Sequence, residues 1–579
     1  MRYHVLATDY DGTLAHDGVV SEATLKAMER LLATGRKAVL VTGRELDDLR
    51  RIFTRFELFE WVVAENGGLL YQPSTNTETP LADAPSAEFV EALKQKRCAG
   101  LSVGRTIVAT WEPYQHAVLE AIQQFGLELQ VTFNKGAVMV LPSGVNKASG
   151  LTAALQQMGI SSHNVVGIGD AENDHMMLRY CGLSVAVSNA LPAVKETADW
   201  VTSRDHGDGV IQLIDEMVDN DLAVATEKST RPGFDLGNSD AGPVEIAPYG
   251  GGILLAGPSA SGKSTVATHF IETAIDQKYQ VCVIDPEGDY ENFDQAVVLG
   301  GPDAIPQVSE VLQVLSDPTA SVVISMTGLP IPDRPPFFLA LLPQLLQMRA
   351  ERGRPHWLVL DEAHHLMPSE WIPPTAMLPD RLNNMLLITV HPDLLSRVVL
   401  QRLDVLLATG TETEVLVSQF AAAGDALVPK IDQKPQNQGE VLLWNRTEHS
   451  QPVRLTAHPC KQERRRHRRK YAEGELSPDH SFYFHGPENA LNLRAQNLMA
   501  FLQLGDGVDD ATWEFHLKNG DYSRWLRESI KDNDVAEAVA RVEANTEIDP
   551  LESRRQVRAA IEHAYTLAAP GPLPVPGAF

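Results

Sequence analysis

At 579 residues, 44% hydrophobic and 22% charged, the chain has length for three or four domains of about 150 residues and apolar side chains to bury a core in each. A net charge of −27 excludes a general polyanion binder, so any nucleic-acid surface has to be local. The four cysteines, Cys98, Cys181, Cys282 and Cys460, lack metal-ligand spacing, no apolar run reaches the ~18 residues of a membrane span, and the first residues resemble no signal peptide. A cytoplasmic protein with reduced cysteines and no membrane partner is expected.

Tyr3–Thr8 predicts a buried strand ending in Asp9-Tyr10-Asp11-Gly12-Thr13-Leu14. Two carboxylates one residue apart at a strand's C-terminal end can both reach the crevice where α/β sheets bind ligands. One can attack phosphorus while the other handles the leaving group's proton. A second strand, Lys37–Val41, ends in Thr42-Gly43-Arg44, and a third, Trp61–Ala64, ends in Glu65-Asn66-Gly67-Gly68. Residues from about 80 to 143 interrupt the series with a strand (Thr106–Thr110), a helix (Ala117–Phe125) and a strand pair (Leu127–Leu141). Lys147 follows, and then Val165–Ile168, which ends in Gly169-Asp170-Ala171-Glu172-Asn173-Asp174.

Taken singly these motifs are weak; together and in this order they closely resemble the haloacid dehalogenase (HAD) superfamily of phosphatases, particularly its Cof-like branch. By position the resemblance, over residues 1–210, implies Asp9 as nucleophile, through an aspartyl-phosphate, and Asp11 as general acid/base. Thr42 would hold phosphoryl oxygens and Lys147 would neutralise charge. Mg²⁺ would be held among Asp9, Asp11, Asp170 and Asp174, with Asn173 in support. The segment at about 80–143 stands where the family inserts a substrate-selecting α/β cap, and its small size suits a compact phosphorylated metabolite. Trp111, Tyr114 and His116 are candidates for its pocket, although such residues more often belong to the core of the cap.

Residues 216–245 read as a linker with a β-hairpin at Phe234–Ile246. Next comes the apolar run Ile253–Ala256, the segment Gly257-Pro258-Ser259-Ala260-Ser261-Gly262-Lys263-Ser264-Thr265, and a helical pattern with Val266, Phe270 and Ala274 on one face. Strand, glycine-rich loop and helix in that order make a phosphate-binding loop. Lys263 supplies charge, Ser264 a hydroxyl for Mg²⁺, and the helix N-terminus its partial positive charge, so the loop predicts ATP. Val281–Ile284, Val322–Met326, Trp357–Leu360, Leu386–Val390 and Val405–Ala408 predict a parallel sheet covered on both faces.

Asp361-Glu362 at the end of one such strand decides the chemistry: the Asp can hold the Mg²⁺ shell and the Glu can polarise a water. At about 235–450 the pattern resembles additional-strand ATPases of the HerA/FtsK branch. Members of that branch are often hexameric DNA motors, so the resemblance implies a homo-oligomer. His391 is placed for a phosphate sensor, and Arg397 and Arg402 for either an arginine finger or a surface ion pair.

Lys461–Lys470, KQERRRHRRK, is a basic run whose Arg464–Arg469 can bind phosphate backbones or dock on the chain's own acidic domains. Leu491–Leu504 and Tyr522–Val542 have helical periodicity, with Trp513 and Trp525 as core anchors; residues 569–579 are expected to be disordered. The expected architecture is α/β: a HAD Rossmann-like domain (1–215), an additional-strand P-loop ATPase domain (246–455) and a small helical C-terminal domain after the basic segment (456–568). The expected function is a phosphatase fused to an ATPase. A DNA-dependent motor or a nucleic-acid end-processing enzyme is the alternative; Glu362 and the extra strand count against a polynucleotide kinase-phosphatase.

Overall fold

The structure is a computed structural model and describes residues 1–134, 136–223, 225, 231–258, 261–373, 377–431, 439–448, 451–461, 476, 481–487, 490–530, 532–545 and 548–564. Among these residues no helix is long and apolar enough to cross a membrane. Two α/β sheets lie in one compact unit and the C-terminal helices in another.

The first region contributes β1 (Val5–Thr8), β2 (Lys37–Val41), β3 (Trp61–Ala64), β4 (Leu69–Gln72), β5 (Thr77–Pro80), β6 (Ser102–Val103), β7 (Val108–Trp111), β8 (Leu129–Asn134), β9 (Ala137–Pro142), β10 (Val165–Gly169), β11 (Leu183–Ala186) and β12 (Trp200–Val201). Eight of them form one sheet in the order β12-β11-β10-β1-β2-β3-β4-β5. Val5 pairs with both Val165 and Lys37 in parallel register. Every residue of β1 and β10 is buried, the signature of strands covered on both faces. The hairpin β4–β5 closes the far edge, where Pro80 interrupts no inner ladder.

β6 to β9 form a separate antiparallel sheet, β6-β7-β9-β8, inserted before the helix Lys147–Met158. Its strands alternate. Val108, Val138 and Val140 pack on Phe89, Leu93, Val118 and Ala121 of the helices Ala87–Gln95 and Gln115–Phe125. Met139 and Leu141 turn the other way and cluster with Ile107 and Val145.

The second region contributes β13 (Phe234–Ser239), β14 (Gly242–Ile246), β15 (Ile253–Ala256), β16 (Val281–Asp285), β17 (Val297–Gly300), β18 (Val322–Ser325), β19 (Trp357–Leu360), β20 (Met385–Thr389), β21 (Val405–Thr409), β22 (Glu440–Asn445) and β23 (Val453–Ala457). Their order is β14-β13-β23-β22-β21-β15-β20-β19-β16-β18-β17. β15 is central, flanked in parallel by β20 and β21, and β20 separates it from β19. The hairpin read as part of a linker is an extension of this sheet, because Gly237 pairs with Ala457 of β23.

The two sheets meet through the N-terminal ends of their strands. Asn164, just before β10, donates from Nδ2 to Tyr249 Oη (3.3 Å) and Gly353 O (3.4 Å), while its Oδ1 lies 3.1 Å from His356 Nε2. His163 stacks on Tyr279 with ring centroids 3.8 Å apart, and its Nε2 lies 2.9 Å from Gln277 O. Arg354 donates to Gly159 O on one side and to Ser316 O on the other, at 2.8 and 2.7 Å. Those carbonyls end the helices Lys147–Met158 and Val308–Ser316, where a cation is favoured. Ligand-binding edges of parallel sheets are the C-terminal ones, so the two candidate sites point away from this seam.

In the C-terminal unit β24 (Phe482–Phe484) pairs with β25 (Leu493–Ala495), ahead of helices that include Leu498–Gly507, Asp510–Lys518, Asn533–Glu543 and Pro550–Ala564. Trp513 and Trp525 are buried in its core beside Phe501 and Tyr522. The strand pair is an addition to the helical reading: Leu493–Ala495 falls inside a stretch taken for one helix. Of the basic run only Lys461 is described; Arg464–Arg469 and residues 569–579 lie outside the described residues.

Candidate active site

The C-terminal edge of the first sheet gathers four buried charges. Asp9 follows β1, and its N–H donates to Ile168 O (3.0 Å), extending the β1–β10 pairing by one residue. Lys147 opens its helix because Asn146 caps it: Asn146 Oδ1 accepts from the N–H groups of Ala148 and Ser149, and Ser149 Oγ accepts from Asn146 N. That placement sends Lys147 Nζ to Asp9 Oδ1 and Asp174 Oδ1, each at 2.5 Å. Asp174 Oδ2 accepts from the backbone N–H groups of Asp170 and Ala171, both at 3.0 Å, which curls the loop after β10. Asp170 Oδ1 accepts from Thr13 Oγ1 at 3.1 Å. Carboxylate oxygens of Asp9, Asp170 and Asp174 lie within 4.8 Å of one another.

Burial first, and then the charge of Asp174, holds the Asp9 carboxyl well above the usual carboxylate range, against the pull of Lys147. Burial disfavours the Lys147 charge, yet Asp174 and Asp9 together raise its ammonium above the ordinary lysine range. Three buried carboxylates thus stand around one buried ammonium, which is bonded to two of them. Asn173, in the same loop after β10, has a buried Oδ1 with no hydrogen-bond partner among the described residues. An all-oxygen donor set with surplus negative charge suits a hard divalent cation, so these residues fit Mg²⁺.

Asp11 stands apart from that cluster. Arg44 grips its carboxylate with two bonds, Nε to Oδ2 at 2.6 Å and Nη2 to Oδ1 at 2.7 Å, while Nη1 reaches Asp48 Oδ2 at 2.6 Å. The bond to Asp11 raises the Arg44 guanidinium further above its ordinary range. Arg44 was visible in the sequence only as the end of Thr42-Gly43-Arg44, with no role attached; its fork geometry makes it part of the site. Thr42 is buried beside it, with Oγ1 accepting from Arg44 N at 3.1 Å.

Among the three aromatic candidates of the insert, Trp111 and His116 are exposed, and Tyr114 packs on the insert's helical core. Met139 was not singled out from the sequence. Its Sδ lies 3.5 Å from where a Cβ on Gly43 would stand, so the site-facing side of the insert sheet carries a thioether over the Thr42 loop. Strand alternation is the signal that would have found it.

In the second sheet Gly257 follows β15, and Gly262, with φ +98°, precedes the helix Lys263–Asp276. Lys263 Nζ donates to Gly257 O (2.5 Å) and Pro258 O (3.0 Å), and Ser261 Oγ lies 2.6 Å from Thr409 Oγ1 at the end of β21. Ser264 and Thr265 are exposed in the first helical turn; Ser259 lies outside the described residues. Asp361 and Glu362 are buried at the end of β19, with Glu362 N donating to Asp361 Oδ1 at 3.0 Å. Glu362 takes a left-handed backbone, φ +38°, and its Oε2 lies 3.5 Å from His364 Nδ1. Arg397 forms an exposed ion pair with Asp425 (3.0 Å), and Arg402 donates to Leu378 O (3.0 Å).

The first region is a Rossmann-like α/β domain with its charged groups gathered at the edge where such sheets bind ligands. A family model described as haloacid dehalogenase-like hydrolase matches residues 6–109 and 112–214. A phosphoglycolate phosphatase of Methanothermobacter thermautotrophicus is 32% identical over 219 residues, 36% of this chain and 96% of that protein. A 5-amino-6-(5-phospho-D-ribitylamino)uracil phosphatase of Bacillus subtilis is 27% identical over 235 residues, covering 36% and 94%. A solved haloacid dehalogenase-like hydrolase from Bacteroides thetaiotaomicron aligns with a TM-score of 0.33 at 19% identity, covering 37% of this chain and 99% of that one. The chain belongs to the haloacid dehalogenase-like hydrolases, and its N-terminal region is a Cof-like phosphatase domain of that superfamily.

Proposed function

We propose that this domain hydrolyses a small phosphate monoester through a covalent intermediate on Asp9. The observation that carries the reading is the Lys147 ammonium bridging Asp9 and Asp174, with Asp170 in the same 4.8 Å cluster. Asp9 and Asp170, with Asp174 beside them, would hold Mg²⁺, which when bound supplies charge neutralisation for carboxylates and phosphate dianion. Lys147 orients Asp9 and, together with the bound cation, favours its ionised form. Asp9 forms a bond to phosphorus as the ester P–O bond breaks, and Asp11, once one of its oxygens leaves Arg44 and takes a proton from solvent, gives that proton to the leaving oxygen. Asp11 then takes a proton from a water that attacks the acyl phosphate, the bond from phosphorus to Asp9 breaks, and inorganic phosphate leaves. Arg44 aims Asp11, and Thr42 holds phosphoryl oxygens. The names of the similar phosphatases make phosphoglycolate the first substrate to try. Phosphate release from phosphoglycolate and p-nitrophenyl phosphate by the wild type, and its loss in Asp9→Asn, tests the assignment; full activity in that variant refutes it.

The second sheet supports a separate activity, ATP hydrolysis by a domain resembling the HerA/FtsK branch. Lys263 starts a helix behind the loop after β15, and Asp361-Glu362 end β19 with β20 between. In that reading Gly257, Ser259, Ser261, Gly262, Lys263 and Thr265 cradle the phosphates. Ser264 and Asp361 serve the cation, Glu362 orients the attacking water, and the assembly is a homo-oligomer. Steady-state ATP hydrolysis with and without linear duplex DNA tests it, in an Asp9→Asn background that silences the first domain. Stimulation that fades with salt marks a nucleic-acid motor, and hydrolysis indifferent to DNA marks a metabolic or regulatory role.

A further inference from the structure

Glu65 is a wholly buried carboxylate that the catalytic scheme does not use. It begins the turn after β3, and three successive residues there, Glu65, Asn66 and Gly67, have φ of +53°, +54° and +105°. Two adjacent non-glycine residues in the left-handed region are held there at a cost, so the surroundings must over-determine them. Glu65 N donates to Arg44 O (2.8 Å) and Asn66 N to Thr42 O (3.0 Å), which ties the turn to the Thr42 loop. Asn66 Oδ1 accepts from Asn173 Nδ2 (3.1 Å), which ties it to the loop after β10. Gly67 lies so close to the residue before Lys147 that a Cβ there would stand 2.0 Å from Asn146 O.

The side chain of Glu65 points the other way, into the insert. Oε1 accepts from Arg105 N (2.9 Å), and Oε2 accepts from Thr106 N (2.7 Å), Thr106 Oγ1 (3.1 Å) and Ile107 N (3.3 Å). Four donors from the segment entering β7 therefore converge on one carboxylate. The approach leaves no room for a side chain at Gly104, whose Cβ would stand 2.6 Å from Glu65 Cδ. Ile107 in turn clusters with Met139, the residue over Gly43.

We propose that Glu65 is a positioning residue: it latches the insert to the turn that also supports Thr42, Arg44 and Lys147, and so sets the register of the substrate-selecting sheet over the phosphate site. The proposal deepens the phosphatase reading and rests on it for the substrate term alone. A carboxylate is required because all four donors need acceptors; glutamine replaces one oxygen with an NH₂ that opposes a backbone N–H. The latch acts on recognition of the leaving group, since the attacking Asp9 and its lysine lie on the core side.

The test uses full-length Glu65→Gln with two probes, phosphoglycolate and p-nitrophenyl phosphate, together with hydrogen exchange of the backbone amides. The expected result is a rise of about tenfold in KM for phosphoglycolate, with kcat on p-nitrophenyl phosphate within about threefold of wild type. Exchange at Arg105–Ile107 accelerates while the Lys147–Met158 helix stays protected. Thr106→Val, which removes one of the four bonds, shifts both readouts the same way by less and serves if Glu65→Gln does not fold. Unchanged exchange at Arg105–Ile107, or an equal loss on both probes, overturns the latch. If wild type cleaves neither probe the phosphatase reading fails, and the exchange measurement still decides whether Glu65 holds the insert.

Discussion

The seam between the two sheets is built around neutral histidines, and that makes it acid-sensitive in a calculable way. Burial lowers His163 from its ordinary range to about 4, with the charges of Arg231 and Arg2 adding to the effect. Burial lowers His4 to about 4 as well, and pushes His356 well below the ordinary range. A histidine whose folded pKa is depressed contributes nothing unfavourable above about 6.5 and costs stability as pH falls toward 4, because the unfolded chain takes up the proton first. For His163 the penalty at pH 5.0 is about 2 kcal/mol, from the ratio of unfolded to folded proton binding at about 1.4 kcal/mol per pH unit. His163→Phe keeps an aromatic ring over Tyr279 but has nothing to protonate. Urea denaturation of the wild type and His163→Phe at pH 7.5 and 5.0 measures the difference. The wild type should lose about 2 kcal/mol more than the variant over that interval. Equal losses would refute the idea that this ring is held neutral at the seam.

Other outcomes follow from the sites. Removing divalent cations with a chelator should abolish phosphate-ester hydrolysis and added Mg²⁺ should restore it, read by phosphate release. Activity that survives chelation would mean the carboxylate cluster serves another purpose. Arg44→Lys exchanges a two-bond fork on Asp11 for a single point charge and should lower kcat roughly tenfold with little change in KM; a KM effect alone would place Arg44 on the substrate instead. Lys263→Ala should abolish ATP hydrolysis and leave phosphatase activity at wild-type level, since the two sites lie at opposite edges of sheets joined through their N-terminal ends. A parallel fall in both activities would show that nucleotide occupancy controls the first domain through the seam.

That back-to-back arrangement has a functional consequence. If the second sheet hydrolyses ATP as proposed, its site lies at the far edge from the first, and any coupling between them passes through packed elements. Such elements include β19, whose residues Trp357–Leu360 lie between His356 and Asp361, and the helix that begins at Lys147 and ends beside Gly159 O, which accepts from Arg354. Arg354 is buried at a junction of two helix ends with neutral acceptors, and burial lowers its guanidinium to about 10. A group held at such cost marks a fixed contact rather than a sliding one.

By itself the sequence determined the elements whose signal is local. Runs such as Val5–Ala7, Val165–Gly169 and Val281–Ile284 carry no charged side chain because their strands are buried on both faces, and each run ends where a charged or glycine-rich loop begins. Asp9, Thr42, Asp170 and Asp174 were legible as candidates because they follow strands, where such sheets carry their chemistry, whereas Lys147, at the start of a helix, stood out only through the family resemblance. Short polar or edge strands were not legible: Thr77–Pro80 and Trp200–Val201 carry little apolar pattern. The hairpin β13–β14 was legible as a hairpin, but only its pairing with β23 made it part of the second sheet. Tertiary structure alone brought Arg44 onto Asp11, Glu65 onto the start of β7, and His163 onto Tyr279. Those pairings join residues 33, 41 and 116 positions apart, and no periodicity encodes a partner across such distances; only the packing of whole layers selects it.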